Sequence, residues 1–363
     1  MFRIPDSNGT SVVVNEVYED GFNLTINKYM NKQIKVFKRP ILESYLTKAK
    51  KIVVEDIDEE VISTGITSLD EALGGGLKNG LFVIGANPGM GKTSLMLHIA
   101  INLALREKHT LFFSLDMSDI QSTIRLLSNT SYRFEDLESM SINDLSTPKK
   151  IFNGDKLNDN VSKIYEKFCR INNYINVLSI HEDVLGKVDN SVTYVESVEK
   201  AIKNYRKHLE NQTPIVVIDF LQLLQNQPTS SYRDEYDGEI TLKSYDRRLE
   251  MDKVIEQLKK LSSVYKLPII VITSTNRSSY TKSNSYDNSD YDIGFSKESG
   301  NIEYIADVLI RLTSKDDAPT VFGGPEQKVI NLNIVKSRFG LAQKTIPLTF
   351  IPEYAFFREE KSQ

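Results

Sequence analysis

The stretch "LFVIGANPGMGKTS", Leu81–Ser94, decides the fold class. Leu81–Gly85 is a short apolar run bounded by glycines, the pattern of a buried strand. It runs directly into Ala86–Thr93, which fits the phosphate-binding loop with Ala86 where the first glycine usually stands. Gly89 and Gly91 let backbone amides turn inward without a Cβ in the way. Those amides, with the N-terminus of the next helix, suit phosphate oxygens. Lys92 is placed to reach the β and γ phosphates, and Thr93 offers a hydroxyl to Mg2+. The nucleotide-binding candidates are therefore Ala86, Asn87, Pro88, Gly89, Met90, Gly91, Lys92, Thr93 and Ser94.

Outward from this loop, strands and helices alternate. A helix comes next, with Met96, Ile99, Ala100 and Leu103 on one face, and then a strand, "TLFFSL". "TPIVVIDF" (213–220) and "KLPIIVIT" (266–273) have the β-branched content of buried strands, and between them Met251, Val254, Ile255, Leu258 and Leu261 keep helical spacing. Such alternation predicts an α/β fold, a mainly parallel sheet covered by helices on both faces. From "KVINLNIVKSRFG" to "IPLTFIPEYAFF" the tail predicts an antiparallel β extension. Asp219 closes the strand "IVVID" and is the second acid expected beside the loop, holding the Mg2+ shell through water. In "TLFFSLDMSDI" (110–120), Asp116 lies at the C-terminal end of a strand, where open α/β sheets bind ligands. That position suits a carboxylate that orients water for hydrolysis.

Composition narrows the class. Of 363 residues, 40% are hydrophobic and 26% charged, which is enough for a packed core. The net charge of −4 argues against a protein wrapped in polyanion, though not against a local basic channel. One cysteine, Cys169, excludes a disulfide or a cysteine-built zinc site within one chain. The start "MFRIPDSNGT" lacks a signal peptide's apolar core, and no apolar run reaches the ~18 residues of a membrane span, so a soluble, cytoplasmic protein is expected. Residues 1–60 read as a separate arm and linker. Lys28–Lys51 holds eight Lys or Arg against one acid, Glu43; a short helix is expected over Ile41–Lys51, followed by the acidic "VVEDIDEEV". A solvated arm, a helix docked on a neighbouring subunit and a basic arm on nucleic acid are all open. Two polar stretches, 226–245 and 278–295, read as long loops; Tyr280, Tyr286 and Tyr291 in the second are either surface residues or base-stacking groups.

Several separated segments then agree. "STGITSLDEALGGGL", "GANPGMGKTSL", "FFSLDMS", "VVIDFLQLL", "SKESGNIEYIADVLI" and "KSRFG" together resemble the C-terminal motor domain of DnaB-type replicative helicases, a RecA-like ATPase, over about Ser63–Phe357. The resemblance implies a ring-shaped, ATP- and Mg2+-dependent DNA helicase of residues 61–363, usually a hexamer, moving on single-stranded DNA during replication. A helicase loader and other replication or repair proteins are further implied partners. Lys92 and Thr93 would bind nucleotide and metal, Asp219 would be the metal-associated acid, and Asp116 stands where the family has a catalytic Glu. Lys336 and Arg338 match the basic pair inserted into the neighbouring subunit's site, with Arg338 as the arginine finger. Ser274 stands at the family's γ-phosphate-sensing Gln, with Asn276 and Arg277 retained. Lys297, Glu298 and Gly300 match a DNA-contacting loop of the central channel, Lys297 replacing the usual Arg.

The family's helical N-terminal domain, which meets primase, has no counterpart expected in residues 1–60. "KSRFG" also looks like RadA, a DNA-repair motor, but one cysteine does not make RadA's zinc module. A RadA-like motor and a weakly hydrolysing ATP-binding scaffold remain the alternatives.

Overall fold

A computed structural model describes residues 2–5, 11–14, 61–179, 181–182, 188–189, 193–208, 212–226, 247–274, 301–315 and 325–359. The chain divides into two compact units, Met1–Glu60 and Val61–Gln363. In the first, Phe2–Pro5 pairs antiparallel with Ser11–Val14, a ribbon with no clear signal in the sequence. The helix expected over Ile41–Lys51 lies outside the described residues.

The second unit is built on a nine-stranded sheet. In chain order its elements are α1 (Thr67–Ala72), β1 (Gly80–Ala86), α2 (Lys92–Ala104), β2 (Thr110–Ser114) and α3 (Asp119–Arg133). Next come α4 (Asp159–Asn172), β3 (Ile175–Ser179), α5 (Val195–His208), β4 (Ile215–Asp219), α6 (Arg247–Tyr265) and β5 (Pro268–Ser274). The chain continues through α7 (Ile302–Ile305), β6 (Val308–Lys315), β7 (Lys328–Ser337), β8 (Lys344–Ile351) and β9 (Phe356–Glu359). The strand order is β9-β8-β7-β6-β1-β5-β4-β2-β3. From β6 to β3 every pairing is parallel, and β6 through β9 pair antiparallel.

The sheet is buried on both faces, and each parallel strand divides its residues between two cores. Phe82, Ile84, Ile215, Val217, Ile270 and Ile272 face the core under α2 and α4. Leu81, Val83, Val216, Ile218, Ile269 and Val271 face the core under α5 and α6. This explains the unbroken apolar runs: in a strand covered on both sides the polar half of the alternation has no place. Each of these apolar side chains contributes about 2 kcal/mol through burial. Helix α2 is also enclosed, buried from Leu95 to Ala104 without a break. It is thus covered nearly all round, whereas its sequence spacing suggested one apolar face.

That enclosure traps His98. Its Nδ1 meets three donors: Arg133 Nη2 at 3.1 Å, Asn129 Nδ2 at 3.2 Å and the Phe357 amide at 3.4 Å. Nδ1 is therefore the acceptor of a neutral ring. Burial, and then the Arg133 charge, hold its pKa well below 6.5. The unfolded chain takes up a proton near pH 6.5 that the native site refuses. His98 therefore contributes stability above that pH and loses it progressively as pH falls below it. Urea unfolding at pH 7.5 and 5.5 should show a total loss of about 1.4 kcal/mol from this residue across that interval. His98→Gln should flatten the slope relative to wild type, and an unchanged slope would refute the assignment.

Candidate nucleotide site

Strand register collects the candidate groups at one edge of the sheet. Ser274 on β5 pairs with Ala86, the last residue of β1, and Asp219 on β4 pairs with Ser114, the last residue of β2. The Leu115 amide continues the pairing to Asp219 O at 2.7 Å. The β1–α2 loop and Asp116 therefore leave the same end of the sheet, with β5 and β4 between their strands.

In the loop, Gly91 has φ +77° and serves as the N-cap of α2, with Leu95 N bonded to Gly91 O at 2.8 Å. A Cβ there would meet the Phe350 ring at 2.8 Å, so both backbone angle and space require glycine. Gly89 has φ +82° and nothing within 4 Å of an added Cβ, which leaves open room over the loop. Lys92 Nζ donates to the loop's own carbonyls, Ala86 O at 2.9 Å and Asn87 O at 3.0 Å. Burial draws its pKa below the ordinary value, and the charges of Asp219 and Asp116 oppose that shift. Pro88 is exposed, and Asn87, Met90, Thr93 and Ser94 are half-buried around the rim.

Thr93 Oγ1 donates to Asp219 Oδ2 at 2.5 Å across the gap between α2 and β4. Asp219 is only 4% exposed, and its carboxyl is pushed up to about 6, chiefly by burial, with Asp116 adding to the rise. Thr93, Lys92 and Arg125 pull the other way. Asp116 is exposed, two residues past the end of β2. The turn that carries it is fixed by the next residues. Ser118 Oγ accepts from Gln121 N at 3.2 Å and Gln121 Oε1 accepts from Ser118 N at 3.1 Å, a capping box that starts α3.

Two neighbours of the site carried no sequence signal of their own. Arg125 lies two turns into α3, half-buried, and Asp219 and Arg125 feel each other's charge. Only the helix phase places it: Ser122, one turn earlier, contacts Ser114 of β2 at 3.2 Å. Gln222 lies three residues beyond Asp219 and donates to Thr273 Oγ1 at 2.9 Å and Ser274 O at 3.3 Å, while its Oε1 is buried without a partner. In sequence it reads as one more residue of "DFLQLL".

Lys336 and Arg338 stand apart from this cluster. Lys336 Nζ donates to Glu303 O at 2.6 Å, Ala306 O at 2.8 Å and Tyr304 O at 3.1 Å, which engages all three of its N–H groups at the end of α7. Burial and the Arg338 charge lower its pKa. Arg338 Nη1 donates to Asp307 Oδ1 at 3.0 Å and Nη2 to Tyr304 O at 3.0 Å, with about half of its side chain exposed. Asn276, Arg277, Tyr280, Tyr286, Tyr291, Lys297, Glu298 and Gly300 lie outside the described residues.

The site's donor set suits a magnesium nucleotide. A hydroxyl and a carboxylate meet beside a glycine loop, and among the described residues no three His, Cys, Asp or Glu cluster as a protein-built metal cage. Mg2+ commonly takes one or two protein oxygens and completes its shell with phosphate and water. Among the described residues no helix is long and apolar enough to cross a membrane.

The model of the DnaB-like helicase C-terminal domain matches residues 61–359. The chain belongs to this family. It is 28% identical over 252 residues to the replicative DNA helicase DnaB of Helicobacter pylori (strain ATCC 700392 / 26695), covering 69% of this chain and 43% of that one. It is 27% identical over 333 residues to the probable replicative DNA helicase of Trieres chinensis, covering 91% and 63%. The chain thus spans less than half the length of the Helicobacter protein it matches. Among solved structures, the ATPase domain of G40P superposes with a TM-score of 0.65 at 21% identity, covering 88% of this chain and 99% of that one. A DnaB-like replicative helicase, described with its interactions with primase, gives 0.62 at 20%, covering 87% and 65%. Both share the RecA-like fold described above.

Asp219 gives the site a testable signature. A carboxyl with a native pKa raised from 3.8 to about 6 favours folding fully below pH 3.8 and loses that favour as pH rises through 6. Above pH 6 the ionised group costs the nucleotide-free protein about 3 kcal/mol. Asp219→Asn should therefore raise the melting temperature of the nucleotide-free protein at pH 8 while weakening Mg2+-dependent nucleotide binding at least tenfold. A lowered melting temperature with intact binding would reverse the assignment.

Proposed function

We propose that this chain is an ATP-driven, ring-forming DNA motor, a cytoplasmic replicative helicase that moves on single-stranded DNA and unwinds duplex. Residues 61–363 form its motor and residues 1–60 an arm and linker. The observation that carries this is the meeting of Lys92, Thr93, Asp116 and Asp219 around a glycine loop, in a chain of the DnaB-like family. Lys92 exchanges the loop carbonyls for β and γ phosphate oxygens. Thr93 and Asp219 would hold Mg2+, which would supply positive charge to offset that of the phosphates. Asp116, exposed and beside both, orients the attacking water. The open room over Gly89 admits the phosphates.

Arg338 reaches the neighbouring subunit's site as an arginine finger and offsets the charge that develops on the transferring phosphoryl group. Because the finger comes from another protomer, one chain alone lacks a complete site, and a homo-oligomeric ring, a hexamer, is required. Ser274 and Arg277 sense the γ phosphate, and Gln222 contacts the Ser274 carbonyl from the side. Lys297, Glu298 and Gly300 track the DNA backbone without reading sequence. A helicase loader and other replication or repair proteins belong to the same reading.

Turnover should be stimulated by single-stranded DNA. Lys92→Ala and Arg338→Ala should each abolish it. Asp116→Asn should lose about 100-fold or more in kcat while still binding ATP, and Asp116→Glu should keep or raise the rate. An Arg338→Ala ring with full activity would remove the finger from the proposal, and an active Asp116→Asn would move the base elsewhere. A second reading, a slowly hydrolysing ATP-binding scaffold, draws on the shorter carboxylate of Asp116 and the hydroxyl of Ser274 in place of an amide. Sustained multiple turnover by the wild-type ring would eliminate it.

A further inference from the structure

Asp307 is nearly buried, 4% exposed, and lies outside the nucleotide cluster. Both of its carboxylate oxygens are engaged. Oδ2 accepts from the Leu81 amide at 2.7 Å and from Lys259 Nζ of α6 at 2.5 Å. Oδ1 accepts from Arg338 Nη1 at 3.0 Å. Its backbone joins in as well: Asp307 N bonds to Leu81 O and Arg338 N to Asp307 O, both at 2.9 Å. One residue thus joins the start of β1, the end of β7 and helix α6. Space around it is tight, since a Cβ at Gly80 would meet Asp307 Oδ2 at 2.8 Å and Phe339 at 2.7 Å.

The division of labour between its two oxygens matters. The oxygen facing the sheet is bound to backbone and to Lys259, so the carboxylate cannot rotate freely. The other oxygen presents a fixed acceptor to one arm of the Arg338 fork, and Tyr304 O fixes the second arm. A planar guanidinium held at two points has one orientation, while its remaining N–H groups stay available and the side chain half-exposed. Lys336, in contrast, has no N–H left to give. We propose that Asp307 is a positioning residue for the trans-acting Arg338, holding its guanidinium pre-oriented so that the finger meets the neighbouring phosphates without a conformational search. The proposal rests on Arg338 acting in trans. Misorienting such a group by about 1 Å costs on the order of 100-fold in rate.

Asp307→Asn keeps an oxygen for one partner and removes the charge that holds Arg338. In the ring it should lower kcat by tenfold or more with little change in KM for ATP. Lys259→Met, which frees the other oxygen only, should leave kcat within about twofold of wild type.

Subunit mixing separates the possibilities. Lys92→Ala protomers have a dead site of their own but an intact finger. Mixed with Arg338→Ala protomers, they should restore ATPase above the sum of the two parents. Mixed with Asp307→Asn protomers, they should do the same. Restoration with Arg338→Ala but not with Asp307→Asn would mean that Asp307 serves its own protomer's β1, overturning the proposal and sparing the finger. Restoration with neither would overturn the trans finger and the proposal together. If Asp307→Asn rings fail to assemble by sizing, Arg338→Lys decides: it keeps the charge but loses the planar fork that joins Asp307 Oδ1 to Tyr304 O. It should lose tenfold or more in kcat, and a wild-type rate from it would sink the idea.

Discussion

The rest of the molecule depends on the register of the parallel sheet. Hydrogen bonding between β1, β5, β4 and β2 sets Ala86, Ser274, Asp219 and Ser114 at one edge. Because successive residues alternate faces, a slip of one residue would either turn Asp219 into the core, with Phe220 at the end of the strand, or carry Asp219 past that end. The two apolar layers forbid this, since each has a place only for its own half of every strand. Packing that stabilises the fold thus also sets the distance between a hydroxyl, an ammonium and two carboxylates. The site needs no special loop chemistry beyond two glycines, because its geometry is inherited from the strands.

That inheritance has an electrostatic consequence. A carboxylate placed by the sheet rather than by solvent is desolvated whether or not a counter-ion is present. Asp219 therefore holds its proton far above the usual carboxylate range, and Lys92 is drawn the opposite way. Each group's ordinary charge is restored by the other's, and more fully by a cation and phosphates. The site is in this sense biased toward its ligand. A protein pays in stability for a pocket whose charges balance only when it is filled.

Fold class was legible in the sequence because it rests on long, repeated patterns. Apolar runs from Leu81, Leu111, Ile215 and Pro268 each exceed the noise of a single residue, and the glycine loop marks the first of them as the strand that leads into a helix. The placement of Lys92, Thr93, Asp116 and Asp219, each at a fixed offset from a strand end, was legible for the same reason. Arg125, Gln222 and Asp307 were not. Their significance arises from contacts across long stretches of chain: Asp307 meets Leu81 at a separation of 226 residues. Nothing in the local spelling "EYIADV" distinguishes a buried node from a strand-leading turn. The all-round enclosure of α2 was hidden in a related way, because Met96, Ile99, Ala100 and Leu103 mark only one face, and the partners that hold His98 and Asn102 inside the core come from distant stretches of chain.

The antiparallel extension also stands behind the phosphate loop. Phe350 of β8 and Phe357 of β9 stack at 4.4 Å with their planes 16° apart, and both rings lie against the space where a Gly91 side chain would be. The last strands are therefore a backstop for the loop's pivot, not an ornament on the sheet's edge. Late strands thus pack against the pivot of the glycine loop, although more than 250 residues of sequence separate Gly91 from Phe350.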